Sequence, residues 1–141
     1  MASNVSFVKR TILVAEDQLL SRVVIIATLE SHGFHCIAAE NGQHALELLT
    51  INHCDLILTD LKMPIVDGVA FIKTVRDREK LNGEKAIPIV VFSAVKGKMV
   101  IEAEQLGISG FFIKSTSIDK LVPKLKFLLG EVIWEHQCSS H

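Results

Sequence analysis

The chain has 141 residues, of which 49% are hydrophobic and 22% are charged, and its formal net charge is −1 at pH 7. This length suits one domain with a buried core. The scattered charges exclude an obvious nucleic-acid or acidic-membrane surface. The chain has neither an apolar run of roughly 18 to 20 residues, as a membrane span needs, nor a signal peptide. Cys36 and Cys54 lie in or beside apolar runs, which is typical of reduced thiols in a cytoplasmic protein.

Five short segments rich in β-branched residues predict strands. They are nearly continuous in hydrophobicity, as expected of strands that are buried on both faces. The five segments are Thr11–Ala15, Phe34–Ala38, Leu56–Thr59, Ile89–Phe92 and Gly110–Ile113.

Each predicted strand is followed by a segment with helical spacing of its apolar residues. These segments are Leu19–Ser31, Gln43–Asn52, Val69–Arg78, Lys98–Leu106 and Leu121–Leu129. Five strand–helix units predict an α/β fold in which right-handed crossovers join parallel strands. We expect a flavodoxin-like, doubly wound, five-stranded sheet in the order 2-1-3-4-5, with helices on both faces. Residues 1–9 are then an N-terminal extension, 10–130 the domain and 131–141 a C-terminal tail.

Polar side chains stand where four of the five strands end. They are Glu16 and Asp17 after the first strand, Asp60 after the third, Ser93 at the fourth and Lys114 after the fifth. Because the carboxyl ends of parallel strands share one edge of the sheet, these side chains should converge on one pocket.

The predicted pocket has the chemistry of phosphoryl transfer. Three close carboxylates repel one another unless a cation is present, and carboxylate oxygens suit Mg²⁺. Lys114 and the Ser93 hydroxyl would hold and neutralise a transferred phosphoryl group. Asp60 is the candidate nucleophile, which would form an acyl phosphate.

Four motifs resemble those of one family, the receiver domains of two-component response regulators with the CheY-like fold. The motifs are ILVAED at Ile12–Asp17, LTDLKMPIVDG at Leu58–Gly68, VFSA at Val91–Ala94 and FFIK at Phe111–Lys114. The resemblance covers roughly Arg10 to Gly130. All four motifs occur in order and at the ends of the predicted strands.

The resemblance implies roles for the acidic residues. Asp60 would accept a phosphoryl group from a histidine kinase, a histidine phosphotransfer protein or a small phosphodonor. Asp17, Asp60 and the backbone carbonyl of Lys62 would bind Mg²⁺, and Glu16 would act mainly through a metal-bound water.

The resemblance also implies a switch. Lys114 would contact a phosphoryl oxygen, Ser93 would move toward the phosphate, and Phe111 would turn inward behind it. These movements would remodel the surface of the fourth helix and fifth strand. As a core aromatic residue, Phe111 could equally have no switching role.

The predicted function is a phosphorylatable receiver that switches a surface read by a downstream effector. The alternative is a phosphotransfer relay or phosphate sink, such as the receiver of a hybrid histidine kinase. The domain would catalyse only its own Mg²⁺-dependent phosphorylation and dephosphorylation, and so is not expected to be an enzyme in the usual sense. A homodimer through the face of the fourth helix, fifth strand and fifth helix is a further alternative. No output domain is expected, because the eleven residues after Gly130 are too few for a helix-turn-helix.

Other functions fit the residues less well. A flavodoxin-like binding protein needs a Ser/Thr/Gly-rich phosphate loop after the first strand, where this chain has the acidic stretch EDQLLS. A hydrolase that forms an acyl phosphate would have a second acid two residues after its nucleophile, where this chain has Lys62.

Several residues also have purely structural interpretations. Glu16 and Asp17 could cap the first helix, Asp67-Gly68 could serve only to turn the chain and start the third helix, and Lys62 could be a solvated side chain. In the tail, Trp134 could pack on the last helix or mark a dimer contact, and a zinc site from His136, Cys138 and His141 would lack a fourth ligand.

Lys114 departs from the resemblance in its neighbour. The family usually has a proline after this lysine, commonly with a cis peptide bond, whereas this chain has Ser115. Because a non-proline cis bond costs about 2.5–4 kcal/mol, we expect a trans bond, a less constrained loop at Ser115–Ile118 and a late start of the fifth helix. Pro123 should then lie in the first turn of that helix.

Overall fold

The structure is a computed structural model that describes residues 9–131. The sequence-based expectations for the N-terminal extension, for Trp134 and for the set His136, Cys138 and His141 lie outside the described residues. None of the helices in the described range is long and apolar enough to cross a bilayer.

Five parallel strands form one sheet in the order β2-β1-β3-β4-β5, as the sequence predicts. The strands are β1 (Thr11–Ala15), β2 (His35–Ala39), β3 (Leu56–Thr59), β4 (Ile89–Ser93) and β5 (Gly110–Ile113). The helices are α1 (Leu19–Ser31), α2 (Gly42–Ile51), α3 (Gly68–Asn82), α4 (Lys98–Leu106) and α5 (Val122–Leu128), with a single 3₁₀ turn at Ile118–Lys120 before α5.

Successive residues of each strand point to opposite faces of the sheet, and both faces are buried. One face packs against side chains of α2, α3 and α4, including the fully buried Phe71 and Ile72. The other packs against α1 and α5 through residues such as Leu29 and Leu125. Burying one such side chain contributes about 1.5–3 kcal/mol. Packing on both faces therefore fixes the positions of the strand ends, and with them the backbone of the polar residues that follow the strands.

Five of the ten predicted elements (β2, α2, α3, β4 and α5) differ from the structure in their bounds, and two of these differences have identifiable reasons. β2 begins at His35 instead of Phe34, because the N–H of Phe34 donates to the carbonyl of Leu29 in the turn that ends α1. α3 runs four residues past the predicted end at Arg78 and stops at Gly83, which has a positive φ of 66°. In the charged run of its last turns Glu79 is buried, whereas Asp77, Arg78 and Lys80 are exposed.

The backbone after β5 agrees with the prediction. No cis peptide bond occurs within residues 9–131, so the Lys114–Ser115 bond is trans. α5 starts only at Val122, and Pro123 lies in its first turn. Proline is tolerated there because the backbone N–H groups of the first turn make no hydrogen bond within the helix. The greater freedom expected for the loop Ser115–Ile118 stays a prediction.

Candidate functional site

The three acids meet at the carboxyl edge of the sheet. β1 and β3 are neighbours in register, with Ala15 opposite Thr59, and the N–H of Asp60 donates to the carbonyl of Ala15 at 3.0 Å. The residues that follow these strands are therefore adjacent. One carboxylate oxygen from each of Glu16, Asp17 and Asp60 lies within 4.8 Å of the others.

Asp60 is buried, with 7% of its surface exposed, and both of its carboxylate oxygens have partners. Oδ1 accepts a hydrogen bond from the N–H of Leu61 at 2.7 Å, and Oδ2 accepts one from Nζ of Lys114 at 2.7 Å. The hydroxyl of Thr59 donates to the carbonyl of Asp60 at 2.7 Å and so fixes the backbone beside the carboxylate. These contacts therefore fix the orientation of the Asp60 carboxylate.

Lys114 reaches from the end of β5 across β4 to two acids at once. Its Nζ lies 2.7 Å from Oδ2 of Asp60 and 2.5 Å from Oε1 of Glu16. Burial alone would lower the pKa of Lys114, but hydrogen bonds and attraction to Asp60 and Glu16 outweigh it, so the pKa is raised. Lys114 is therefore protonated at neutral pH and neutralises part of the acidic charge.

Glu16 is the most deeply buried of the acids, with 1% of its surface exposed. Oε2 accepts a hydrogen bond from the N–H of Gln18 at 3.0 Å. Oε1 lies 2.5 Å from Nζ of Lys114, which is its partner in an ion pair. Burial raises the pKa of Glu16, and the hydrogen bonds from Lys114 and Gln18 oppose this shift only in part.

The residues fit a hard divalent cation. The donor set consists of carboxylate oxygens from three residues, and one oxygen from each lies within 4.8 Å of the others. Mg²⁺ prefers such oxygen ligands and keeps several waters, which leaves room for phosphoryl oxygens. Glu16, Asp17 and Asp60 are the side chains that could hold the ion.

The prediction that Glu16 and Asp17 could cap the first helix is wrong, because neither is the N-cap residue of α1. α1 has Gln18 as its N-cap residue, and the Gln18 side chain makes no capping hydrogen bond. The carboxylate of Glu16 binds the Gln18 N–H instead, from two residues earlier. In contrast, Asp67 does cap α3, because its Oδ1 accepts from the N–H of Ala70 at 2.9 Å.

The acids open into a surface cleft of ≈ 570 Å³. Residues from the ends of β1, β3, β4 and β5 line it, including Asp17, Asp60, Ser93 and Lys114. Ser93 is fully buried, and its Oγ accepts from the N–H of Val95 at 3.3 Å. Lys62 is exposed and also lines the cleft.

Phe111 stands apart from the other predicted site residues. It lies in β5 opposite Val91 of β4, is half-buried, and packs against the core beneath α4. It does not line the cleft that contains Asp60. The structure therefore brings together the acids, Lys62, Ser93 and Lys114, and places Phe111 behind them in the sheet.

The loop between β3 and α3 has a strained backbone. Ile65 has a φ of 68°, although it is β-branched, and the N–H of Val66 donates to the carbonyl of Pro64 at 2.8 Å. This is a γ-turn with positive φ, which is rare and strained. The carbonyl of Val66 accepts from the N–H of Gly42 at 2.9 Å, so the first residue of α2 helps to hold the turn.

Sequence reasoning missed Gly68 and Arg22. A Cβ on Gly68 would lie 2.2 Å from the carbonyl oxygen of Asp60, so α3 approaches the backbone of Asp60 more closely than any residue with a side chain would allow. Nη1 of Arg22 donates to the carbonyl of Glu16 at 2.8 Å. The position of Arg22 was a usable signal, since a cation in the first turn of a helix opposes the helix dipole.

Residues 12–126 match the family of response regulator receiver domains. The chain belongs to this family. It is 31% identical over 125 residues to the transcriptional regulatory protein PdtaR of Mycobacterium tuberculosis, covering 87% of this chain but only 58% of PdtaR. It is 29% identical over 122 residues to the polar-differentiation response regulator DivK of Brucella abortus, covering 86% of this chain and 98% of DivK.

A solved structure shows the same receiver fold. It is a co-crystal of the histidine phosphotransfer signalling protein Ypd1 with the receiver domain of its downstream response regulator Ssk1, from Saccharomyces cerevisiae. The match has a TM-score of 0.76 and 27% sequence identity, and covers 86% of this receiver and 89% of that chain. Receiver domains of this family are in general signalling proteins rather than enzymes in the usual sense.

Proposed function

We propose that this receiver accepts a phosphoryl group on Asp60 from the phosphohistidine of a histidine kinase or phosphotransfer protein, and then switches a surface that a partner reads. The observation that carries the proposal is the geometry of Asp60. Its carboxylate is oriented by the Leu61 N–H, paired with Lys114 and adjacent to two further acids at the base of an open cleft.

The chemistry follows from these contacts. A carboxylate oxygen of Asp60 forms the new P–O bond while the P–N bond of the donor breaks, and the electron pair of that bond stays on the imidazole nitrogen. Lys114 already lies against Asp60, close to where a phosphoryl oxygen would need its charge neutralised. Bound Mg²⁺ would supply further positive charge against the phosphoryl oxygens.

Two observations support the choice of partner class. The cleft is open, so a histidine on the surface of another protein can reach Asp60. The similar Ssk1 receiver was crystallised with a histidine phosphotransfer protein. Such a partner would place this receiver in the cytoplasm. The relay alternative uses the same chemistry and differs only in where the phosphoryl group goes next.

The direct test is labelling with a small phosphodonor, such as acetyl phosphate, in the presence of Mg²⁺. Intact-mass measurement should show one phosphoryl group on the wild type and none on Asp60→Asn. Asp77→Asn, an exposed acid on α3, is the matched control and should be labelled normally. Equal labelling of Asp60→Asn and wild type would show that the phosphoacceptor is another residue.

The metal proposal has its own test. Asp17→Asn removes one carboxylate from the acid cluster and should weaken Mg²⁺ binding about tenfold or more, since a hard cation depends on ligand charge and number. Isothermal titration calorimetry of the unphosphorylated protein measures this directly. Unchanged Mg²⁺ affinity in Asp17→Asn would refute the assignment of this residue.

A further inference from the structure

Arg22 is a half-buried residue of α1 whose side chain turns back toward the end of β1. Nη1 donates to the carbonyl oxygen of Glu16 at 2.8 Å and to that of Asp17 at 3.4 Å. Within residues 9–131 these two oxygens have no other hydrogen-bond donor. One guanidinium therefore holds the backbone of both acids.

The position of Arg22 is unfavourable for the helix itself. Arg22 is the fourth residue of α1, where a cation opposes the positive end of the helix dipole. The first turn contains no acid that would compensate, and the N-cap residue Gln18 makes no side-chain capping bond. Helix stability therefore does not explain an arginine here, whereas its contact with the two carbonyls does.

The backbone that Arg22 holds determines where the two carboxylates point. The N–H of Glu16 donates to the carbonyl of Ala39 at 3.0 Å, and its carboxylate accepts from the N–H of Gln18. Arg22 supplies the remaining contact, on the carbonyl side of the same turn. Without it, rotation of the peptide between Glu16 and Asp17 would move the Asp17 carboxylate away from Asp60.

We propose that Arg22 is a positioning residue for the divalent-cation site, and this rests on the proposed function. Its guanidinium fixes the turn at Glu16–Asp17 so that both carboxylates face Asp60 before the cation binds. It acts through the two acids, since its recorded contacts are with their backbone oxygens. Residues that contact the ligands of a metal, and not the metal itself, commonly change its affinity about 10- to 100-fold when they are removed.

The test compares Arg22→Gln, Arg22→Lys and the control Arg78→Gln, which removes the same charge from an exposed position on α3. Calorimetric titration with Mg²⁺ should show about a tenfold loss of affinity for Arg22→Gln. Arg22→Lys, which keeps a donor and the charge, should recover part of that loss. Arg78→Gln should bind Mg²⁺ as the wild type does.

Amide hydrogen exchange in the absence of Mg²⁺ supplies a second readout. The Gln18 amide should exchange faster in Arg22→Gln, because its acceptor on Glu16 is no longer held, while the amide of Phe71 in the core should be unchanged. If Arg22→Gln fails to fold, Arg22→Met keeps the apolar stem, removes the donors and is measured instead.

The outcomes separate the two proposals. If the wild type binds Mg²⁺ and is labelled on Asp60, but the Arg22 variant matches it in affinity and in Gln18 exchange, the role of Arg22 is refuted and the proposed function stands. A wild-type protein that neither binds Mg²⁺ nor is labelled would overturn both.

Discussion

Glu16 is a buried acid whose charge is unfavourable in the metal-free protein. Burial raises its pKa above the ordinary value of 4.5, in spite of the favourable contact with Lys114. The folded state therefore binds this proton more tightly than the unfolded chain does. It follows that the free energy of unfolding falls as the pH rises from 4.5 through the raised pKa.

Glu16→Gln should consequently stabilise the metal-free protein at neutral pH, because it removes a buried charge whose pKa the fold raises. The amide can still accept from the Gln18 N–H, and Lys114 keeps Asp60 as a partner. Urea unfolding in the presence of a chelator measures the change. The advantage should vanish below pH 4.5, where the carboxyl is protonated in both states. A variant that is equally destabilised at both pH values would contradict this, and Glu47→Gln, on the exposed part of α2, serves as the control.

The start of α3 depends on a contact that the sequence pattern does not reveal. Asp67-Gly68 predicts a turn and a helix start, and the Asp67 cap confirms it. Gly68, however, also packs on the backbone of Asp60 and Leu61, where a Cβ would lie 2.2 and 2.6 Å from its neighbours. These neighbours are backbone atoms, which cannot move aside as the end of a flexible side chain can.

Gly68→Ala should therefore destabilise the protein by about 3 kcal/mol or more. Gly33→Ala is the matched control: its φ is 93°, but a Cβ there would meet no atom within 4 Å, so it should cost only about 1 kcal/mol of backbone strain. Denaturant unfolding of the two variants separates close packing from backbone conformation. Equal losses would show that the contact with Asp60 is unimportant.

Across the whole molecule, Arg76 joins three segments on the side of the sheet that carries α3 and α4. Its guanidinium donates to Glu79 at 2.7 Å, to the carbonyl of Ile87 before β4 at 2.9 Å and to the carbonyl of Gly107 after α4 at 2.8 Å. Glu79 is buried and accepts in turn from the Ile87 N–H at 2.7 Å. The pair therefore fixes the C-terminal end of α4 to α3.

Removing only Arg76 leaves the Glu79 charge buried without its partner. Arg76→Met should therefore cost about 3–5 kcal/mol, and the double variant Arg76→Met/Glu79→Leu should cost clearly less than the two single losses added together. Urea unfolding of the four proteins in this cycle tests the coupling. If Arg76→Met lowers the free energy of unfolding by less than about 0.5 kcal/mol, as ordinary surface substitutions do, the proposed coupling is refuted.

The sequence was sufficient to predict the sheet and to predict that Asp60 and Lys114 lie together at one edge of it. Nearly continuous β-branched runs and amphipathic segments predict the strands and helices, and the likeness to a flavodoxin-like fold supplies the order of the strands. The contacts of Gly68, Arg22 and Arg76 could not be predicted in the same way. Each depends on how closely particular backbone segments approach in the folded chain, and hydrophobic periodicity carries no information on that distance.

The order of the strands has a consequence for the time course of folding. β1 lies between β2 and β3, so the first half of the chain can already assemble a three-stranded sheet with all three acids at one edge. In such a partly formed sheet Lys114 is missing until β5, the last strand of the chain, has joined next to β4. Until then the carboxylates face one another without their lysine. A divalent ion from solution can supply the positive charge that Lys114 supplies in the folded protein. The refolding rate of this receiver should therefore depend on the Mg²⁺ concentration, even with no phosphoryl group present.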